Sequence, residues 1–323
     1  MKVGIIGAGS IAGTMAGTIR EMDCAQNYAV AARDYGRAAE FAQTYGFEKA
    51  YGSYEELVED AGVELVYIAT PHSHHYEHIK LCLNHGKHVL CEKSFTVNES
   101  QAREVLALAR EKKLLLTEAI WTRYMPIRKT LDSVQSSGVK GRPFMHTANL
   151  GYIISGKERI MRPELAGGAL LDVGIYPLNF ASMVFGDEVD SITGTAVMTE
   201  TGVDAQNSIT ITYKDGKMAA LCSSAMGLSD RRGIIYGDNG FIEVETINNC
   251  EGIRVYDRSR NMIASYDTPK QISGYEYEVE ACLRAIKEGA LECPEMPHEE
   301  TLRMMGWMDE LHRQWGLVYP MER

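Results

Sequence analysis

Four short apolar runs in the first 115 residues are each followed by a stretch long enough to cross a sheet, and a fifth run closes the series. "KVGIIG" precedes residues 11–22, "YAVAA" 37–45, "ELVYIAT" 75–84 and "HVLC" 100–112, and "LLLTEA" comes last. The runs do not alternate apolar with polar, so both faces of each strand are covered. Helix-length crossovers then set successive strands parallel. This pattern describes a doubly wound α/β sheet.

The texture changes near Gly138, after a helix predicted over 126–136. Alternating segments follow, among them "MHTANLGY", "SITGTAVMTE", "NSITITY", "KMAALCSS", "FIEVE" and "GIRVYD", broken by turn signals at Asp215-Gly216 and Asp238-Asn239-Gly240. Helical patterns over 275–287 and 299–314 end the chain. At 323 residues the chain exceeds what one core usually serves. The expected architecture is a dinucleotide-binding Rossmann domain over 1–121 and an α+β domain over 122–323. The second would have a large, mainly antiparallel sheet flanked by helices, for substrate binding and oligomerisation.

A formal net charge of −11, with no stripe of Lys and Arg, lacks the electrostatic footprint of a nucleic-acid binder and makes acidic membranes poor partners. The longest apolar segment, 170–185, contains Asp172, Gly174, Pro177 and Asn179, so no membrane span is expected. The opening "MKVGIIGAGSIAG" reads as strand and turn rather than signal peptide. Seven scattered cysteines without C-x-x-C spacing suggest free thiols and a cytoplasmic protein.

Between the first strand and helix, Gly7, Gly9 and Ala12 form G-x-G-x-x-A. Gly7 serves the tight turn, Gly9 the approach of pyrophosphate, and Ala12 close packing, with the amides of Ser10 and Ile11 at the helix start facing the anion. After the second strand, where an NAD site offers a carboxylate to the ribose, stand Ala32, Arg33 and, a turn later, Arg37. Two guanidiniums favour the 2′-phosphate of NADP; Asp34 keeps NAD open as the alternative. Thr70-Pro71-His72 ends a strand at the carboxyl edge of the sheet, where ligands bind. His72, His74, His75 and His78 invite a zinc reading, but no distant Cys or carboxylate partner is evident. The expectation is therefore no metal, with His72 or His75 lining the nicotinamide crevice. "HVLCEKSF" places Glu92 and Lys93 at the same edge, either as working groups or as a surface pair. In "GGALLDVGIYPLNF", Asp172 and Tyr176 share one helix face if the first turn includes both; the alternative is an N-cap and a core aromatic.

Taken together, the fingerprint, Thr70-Pro71 with His75, Glu92-Lys93, Glu118-Ala119 and the 168–176 segment resemble the Gfo/Idh/MocA oxidoreductases over essentially the whole chain. "AVAARD", "YGSYEEL", "EAIWTRY", "GGALLDVGIY" and "ETGVD" resemble its branch of dimeric dihydrodiol dehydrogenases and NADP-linked D-xylose dehydrogenases. The family's D-x-G-x-H-x-x-D segment appears here as Asp172, Gly174, Tyr176 and Asn179, and that branch likewise has Tyr at this place. Ser94 stands where the family usually has a proline, often after a cis bond.

The resemblance implies hydride transfer between NADP and the carbinol or carbonyl carbon of an aldose or trans-dihydrodiol. Tyr176 would be acid and base, Lys93 the cation favouring its phenolate, and Asp172 would orient substrate or Lys93. Trp121 would wall the substrate site, with Arg123 beside it. The cofactor would be held by Gly7, Gly9, Ser10, Ile11, Ala12, Arg33, Arg37, Thr70, Pro71, His72, His75, Glu92 and Lys93. The resemblance also implies a homodimer or tetramer through the second sheet. The rivals are an NAD-linked sugar or cyclitol dehydrogenase and a catalytically idle sensor of sugar or cofactor.

Overall fold

The computed structural model describes residues 1–323. The first half runs β1 (Lys2–Ile6), α1 (Ser10–Arg20), β2 (Gln26–Ala31), α2 (Tyr35–Tyr45), β3 (Lys49–Tyr51), α3 (Tyr54–Glu59), β4 (Leu65–Ile68), α4 (His72–Asn84), β5 (His88–Glu92), α5 (Glu99–Lys112) and β6 (Leu116–Ala119). The six strands are parallel in the order β3-β2-β1-β4-β5-β6. Strand order therefore reverses between β1 and β4, and a ligand crevice opens there at the carboxyl ends. Ile5, Ile6, Val66, Ile68, Val89 and Leu90 are fully buried, as a sheet covered on both faces requires.

The second half continues with α6 (Ile127–Ser136), β7 (Pro143–Gly151), α7 (Glu158–Met161) and α8 (Ile175–Phe185), then β8 (Val189–Met198), β9 (Asp204–Tyr213), β10 (Met218–Ser224), β11 (Gly233–Gly237), β12 (Gly240–Glu245), β13 (Gly252–Asp257) and β14 (Met262–Asp267). It ends with α9 (Glu276–Glu288) and α10 (His298–Trp315). The eight strands order as β14-β13-β12-β11-β7-β10-β9-β8, antiparallel throughout except β7 with β10. One face, carrying His146, Leu150, Ile209, Ile211 and Leu221, is buried, with α8 packed on it; this helix is too rich in Leu, Phe and Met to face water. The opposite face presents Met145, Ser208, Ala220 and Cys222 to solvent.

Two compact units emerge, Met1–Tyr124 with Gln271–Met305, and Met125–Lys270 with Gly306–Arg323. This differs from the single boundary expected after residue 121. β6 is an edge strand, and the segment around α9 covers it: the Leu116 amide donates to Leu291 O at 3.2 Å and His298 Nε2 lies 2.8 Å from Leu116 O.

Candidate active site

In the first unit, the β1–α1 turn is shaped by Gly7, whose φ is +104° and whose Cβ, were it present, would meet Ala69 O at 2.9 Å. Gly9 is the N-cap of α1, and nothing lies within 4 Å of where its Cβ would project. No side chain caps α1, whereas Asp34, Ser53 and Asn98 cap α2, α3 and α5. The amides at this helix start, with no side-chain cap, lie beside open space at Gly9, and this cradle fits a pyrophosphate. Asp34 Oδ1 accepts the Arg37 amide at 2.7 Å, so the acid that kept an NAD reading open is engaged as a helix cap. Arg37 Nη2 donates to Ala8 O at 2.8 Å, across the turn, while Arg33 is exposed at the end of β2. Its charge reaches Tyr54, His74 and His78.

At the carboxyl ends of β4 and β5 the histidines diverge. His75 is fully buried, with Nδ1 2.8 Å from Ser94 O and Nε2 2.8 Å from Thr70 O, and burial lowers its pKa to about 4. It does not line a crevice but ties the Thr70-Pro71 turn to the Lys93-Ser94 turn. His78 Nδ1 lies 3.0 Å from Thr70 Oγ1 and His74 Nδ1 2.9 Å from Ser73 Oγ; His72 is buried with its ring edge-on to His75. His75 and His78 both engage Thr70, and no three His, Cys, Asp or Glu side chains form a metal-binding group.

The peptide between Lys93 and Ser94 is cis. Lys93 is half-buried at the end of β5, while buried Glu92 accepts the Tyr67 hydroxyl. Behind them lie two carboxyl groups that are wholly enclosed. Burial lifts Glu118 to about 7, and burial followed by the charge of Glu92 raises Glu278 well above the usual range. Trp121 stacks on Tyr275 at 4.4 Å and 13°, a pairing invisible in the sequence. Arg123, expected on the substrate side, is buried in an ion pair with Glu300, which also pairs with Arg303.

In the second unit, a π turn over Leu170–Gly174 leads directly into α8. The wider turn holds Asp172 in the same continuous helix as Tyr176, and Pro177 follows within the first turn of α8, the part of a helix that tolerates proline. Asp172 is 4% exposed and takes both terminal nitrogens of Arg159, at 2.6 and 3.4 Å. Arg159 lies in α7, and nothing in the sequence singles it out. Tyr176 is 9% exposed. Asn179 Nδ2 donates to Ile175 O at 2.9 Å, within its own helix.

A family model described as an oxidoreductase family with an NAD-binding Rossmann fold matches residues 1–120, and that family's C-terminal domain matches 129–243. The trans-1,2-dihydrobenzene-1,2-diol dehydrogenase of Xenopus tropicalis is 33% identical over 327 residues, spanning 99% of each chain. The Homo sapiens enzyme of that name is 33% identical over 332 residues, spanning 100% of this chain and 99% of its own. Among solved structures, a 3-ketoreductase from Actinomadura kijaniata in complex with NADP and TDP-benzene superposes with a TM-score of 0.90, at 24% identity over 98% of both chains. An aldose-aldose oxidoreductase from Caulobacter crescentus does so at 0.87, with 18% identity over 97% of both.

Proposed function

The chain belongs to the Gfo/Idh/MocA family of NAD(P)-binding oxidoreductases, and from that premise we propose that it is an NADP-dependent dehydrogenase of trans-dihydrodiols or aldoses. The observation that carries the reading is its end-to-end likeness to dihydrodiol dehydrogenases combined with Lys93, Asp172 and Tyr176 in one chain. A nicotinamide cofactor held at the β1–α1 turn by Gly7, Gly9 and the amides after them would supply hydride transfer to and from the carbinol carbon. Tyr176 Oη takes the hydroxyl proton in oxidation and returns it in reduction. A free phenol has a pKa of about 10, too high for an efficient base near neutrality, so a cation must favour the phenolate. Lys93 has that role, and it stabilises charge developing on the substrate oxygen. Arg159 holds Asp172 from the loop side, which fixes the helix start bearing Tyr176. Trp121, backed by Tyr275, offers the flat apolar wall that a diol ring or the face of a sugar would use.

Reduction of NADP followed over a panel of trans-dihydrodiols and aldoses tests this reading; no turnover of either class with NADP or NAD would overturn it. Arg33 and Arg37 as the 2′-phosphate partners are tested by Arg33→Asp. It is expected to weaken NADP at least about tenfold while leaving NAD unchanged or tighter, and equal losses for both cofactors would remove Arg33 from the site.

The same reading includes a homodimer or tetramer formed through the open face of the second sheet. Across β7, β10, β9 and β8 that face runs in rows such as Thr147, Ala220, Thr210, Thr193 and Asn149, Cys222, Ser208, Thr195. Small side chains in flat rows permit close approach of a second sheet. Ser208→Arg, in the middle of this surface, is expected to give monomers in sedimentation velocity; a wild-type chain that already sediments as a monomer would count against the assembly.

A further inference from the structure

The π turn bearing Asp172 rests on buried polar groups that the proposed chemistry does not use. Asp204, at the start of β9 and 1% exposed, accepts the Leu170 amide at 2.8 Å and Asn207 Nδ2 at 2.9 Å, both on Oδ2. Asn207 Oδ1 in turn accepts Ser223 Oγ at 2.9 Å, and that same Oγ lies 2.9 Å from where a Cβ on Gly174 would sit. One chain of hydrogen bonds therefore runs from Leu170, the first residue of the π turn, through Asp204 and Asn207 to Ser223, whose hydroxyl packs against Gly174, the last. Just upstream, Gly168 has φ +114°, and a Cβ there would lie 2.2 Å from Asp204 Oδ1, so only glycine lets the carboxyl stand this close. Gly167 O accepts the hydroxyl of Tyr319, a fully buried side chain from the C-terminal tail, at 2.5 Å.

Such groups are costly to bury, and a core of this shape could be apolar. They converge on the backbone at 167–174. We infer that Asp204 and Tyr319 are positioning residues, which fix the 167–174 backbone so that Asp172 and Tyr176 are presented in one orientation. This rests on the reading of Tyr176 as acid and base. The energetic logic is that of preorganisation: displacement of a reacting group by about 1 Å costs on the order of a hundredfold in rate.

Asn at 204 can keep an oxygen where Oδ2 accepts both N–H groups, whereas Ala cannot. Asp204→Ala is expected to lower kcat about ten- to hundredfold with the KM for NADP little changed, and Asp204→Asn to restore most of it. Hydrogen exchange of the Leu170 to Tyr176 amides should quicken in the Ala variant and not in the Asn variant. If Asp204→Ala does not fold, Tyr319→Phe removes a single hydroxyl, and a several-fold fall in kcat with faster exchange in the same peptide is expected. Wild-type kcat and exchange in the variant that folds, or equal losses in the Ala and Asn variants, would overturn the inference. Tyr176→Phe, run beside them, separates the two ideas. Should it retain turnover, the acid-base reading falls while exchange still decides whether Asp204 and Tyr319 hold the segment.

Discussion

Tyr176→Phe and Lys93→Met are each expected to lower NADP-linked turnover by at least about two orders of magnitude while NADP affinity stays within a few-fold. The Phe variant removes one oxygen from a side chain already 9% exposed on a helix packed against the second sheet, so the ring continues to fill its place. Methionine keeps most of the unbranched apolar stem of lysine and removes the ammonium, with its charge and its N–H donors. On the proposed reading one group would move the proton and the other would stabilise the resulting charge, so their losses should overlap. The double variant is therefore expected to be little worse than either single one, a non-additivity that two independent structural defects would not show. Turnover measured under saturating NADP, with cofactor binding followed separately by fluorescence, checks both parts. Full activity in either single variant would take that residue out of the chemistry.

The first sheet was legible in the sequence because each buried parallel strand leaves an unbroken apolar run, and each crossover helix leaves a stripe on one side. What escaped did so for identifiable reasons. β3 has only three residues on the sheet's edge, all at least partly exposed, so it leaves no run; the one local signal was Ser53-x-x-Glu56, the start of α3. α2 and α4 begin two and three residues before the periodic pattern does. Their starts are set by Asp34 and Pro71 at the N-cap, not by apolar residues in the first turn.

The placement of candidate residues was legible where a backbone feature demands a residue type, as at Gly7 in its tight turn, and where a strand end fixes a position, as at Lys93 directly after β5. It was not legible where distant side chains meet. "YEYEVEACLRAI" reads as a helix with its glutamates in water, yet Glu276 folds back to accept the amides of Ile272, Ser273 and Gly274, and Glu278 is enclosed beneath Glu92. Arg123 shows the converse error: a cation beside the substrate wall is placed in the site by proximity in sequence, but Glu300, 177 residues away, takes it inward. His75 belongs to the same class, since nothing local tells that its two ring nitrogens meet carbonyls from two different turns.

Two buried groups should give the stability of this protein opposing dependences on pH. Glu118 is fully enclosed, and burial lifts its carboxyl to about 7, from roughly 4.3 in an unfolded chain. Between those values the native state holds a proton that the unfolded state has released, so stability falls as pH rises through the window, by roughly 3–4 kcal/mol in all. Glutamine titrates nowhere in this range, and its altered contacts do not depend on pH. The stability of Glu118→Gln relative to wild type should therefore rise by about 3 kcal/mol between pH 4 and pH 8. His146 has the reverse sign. It lies between Phe180 and Phe185, and burial lowers its pKa to about 3, so the unfolded chain takes up a proton below about pH 6.5 while the native ring stays neutral. Its contribution is present above that pH and is lost as pH falls. His146→Leu should thus gain about 2–3 kcal/mol on wild type between pH 7 and pH 4.5. Urea unfolding at the stated pH values measures both, and a difference from wild type that does not change with pH would mean the removed group is not held in the protonation state its burial requires.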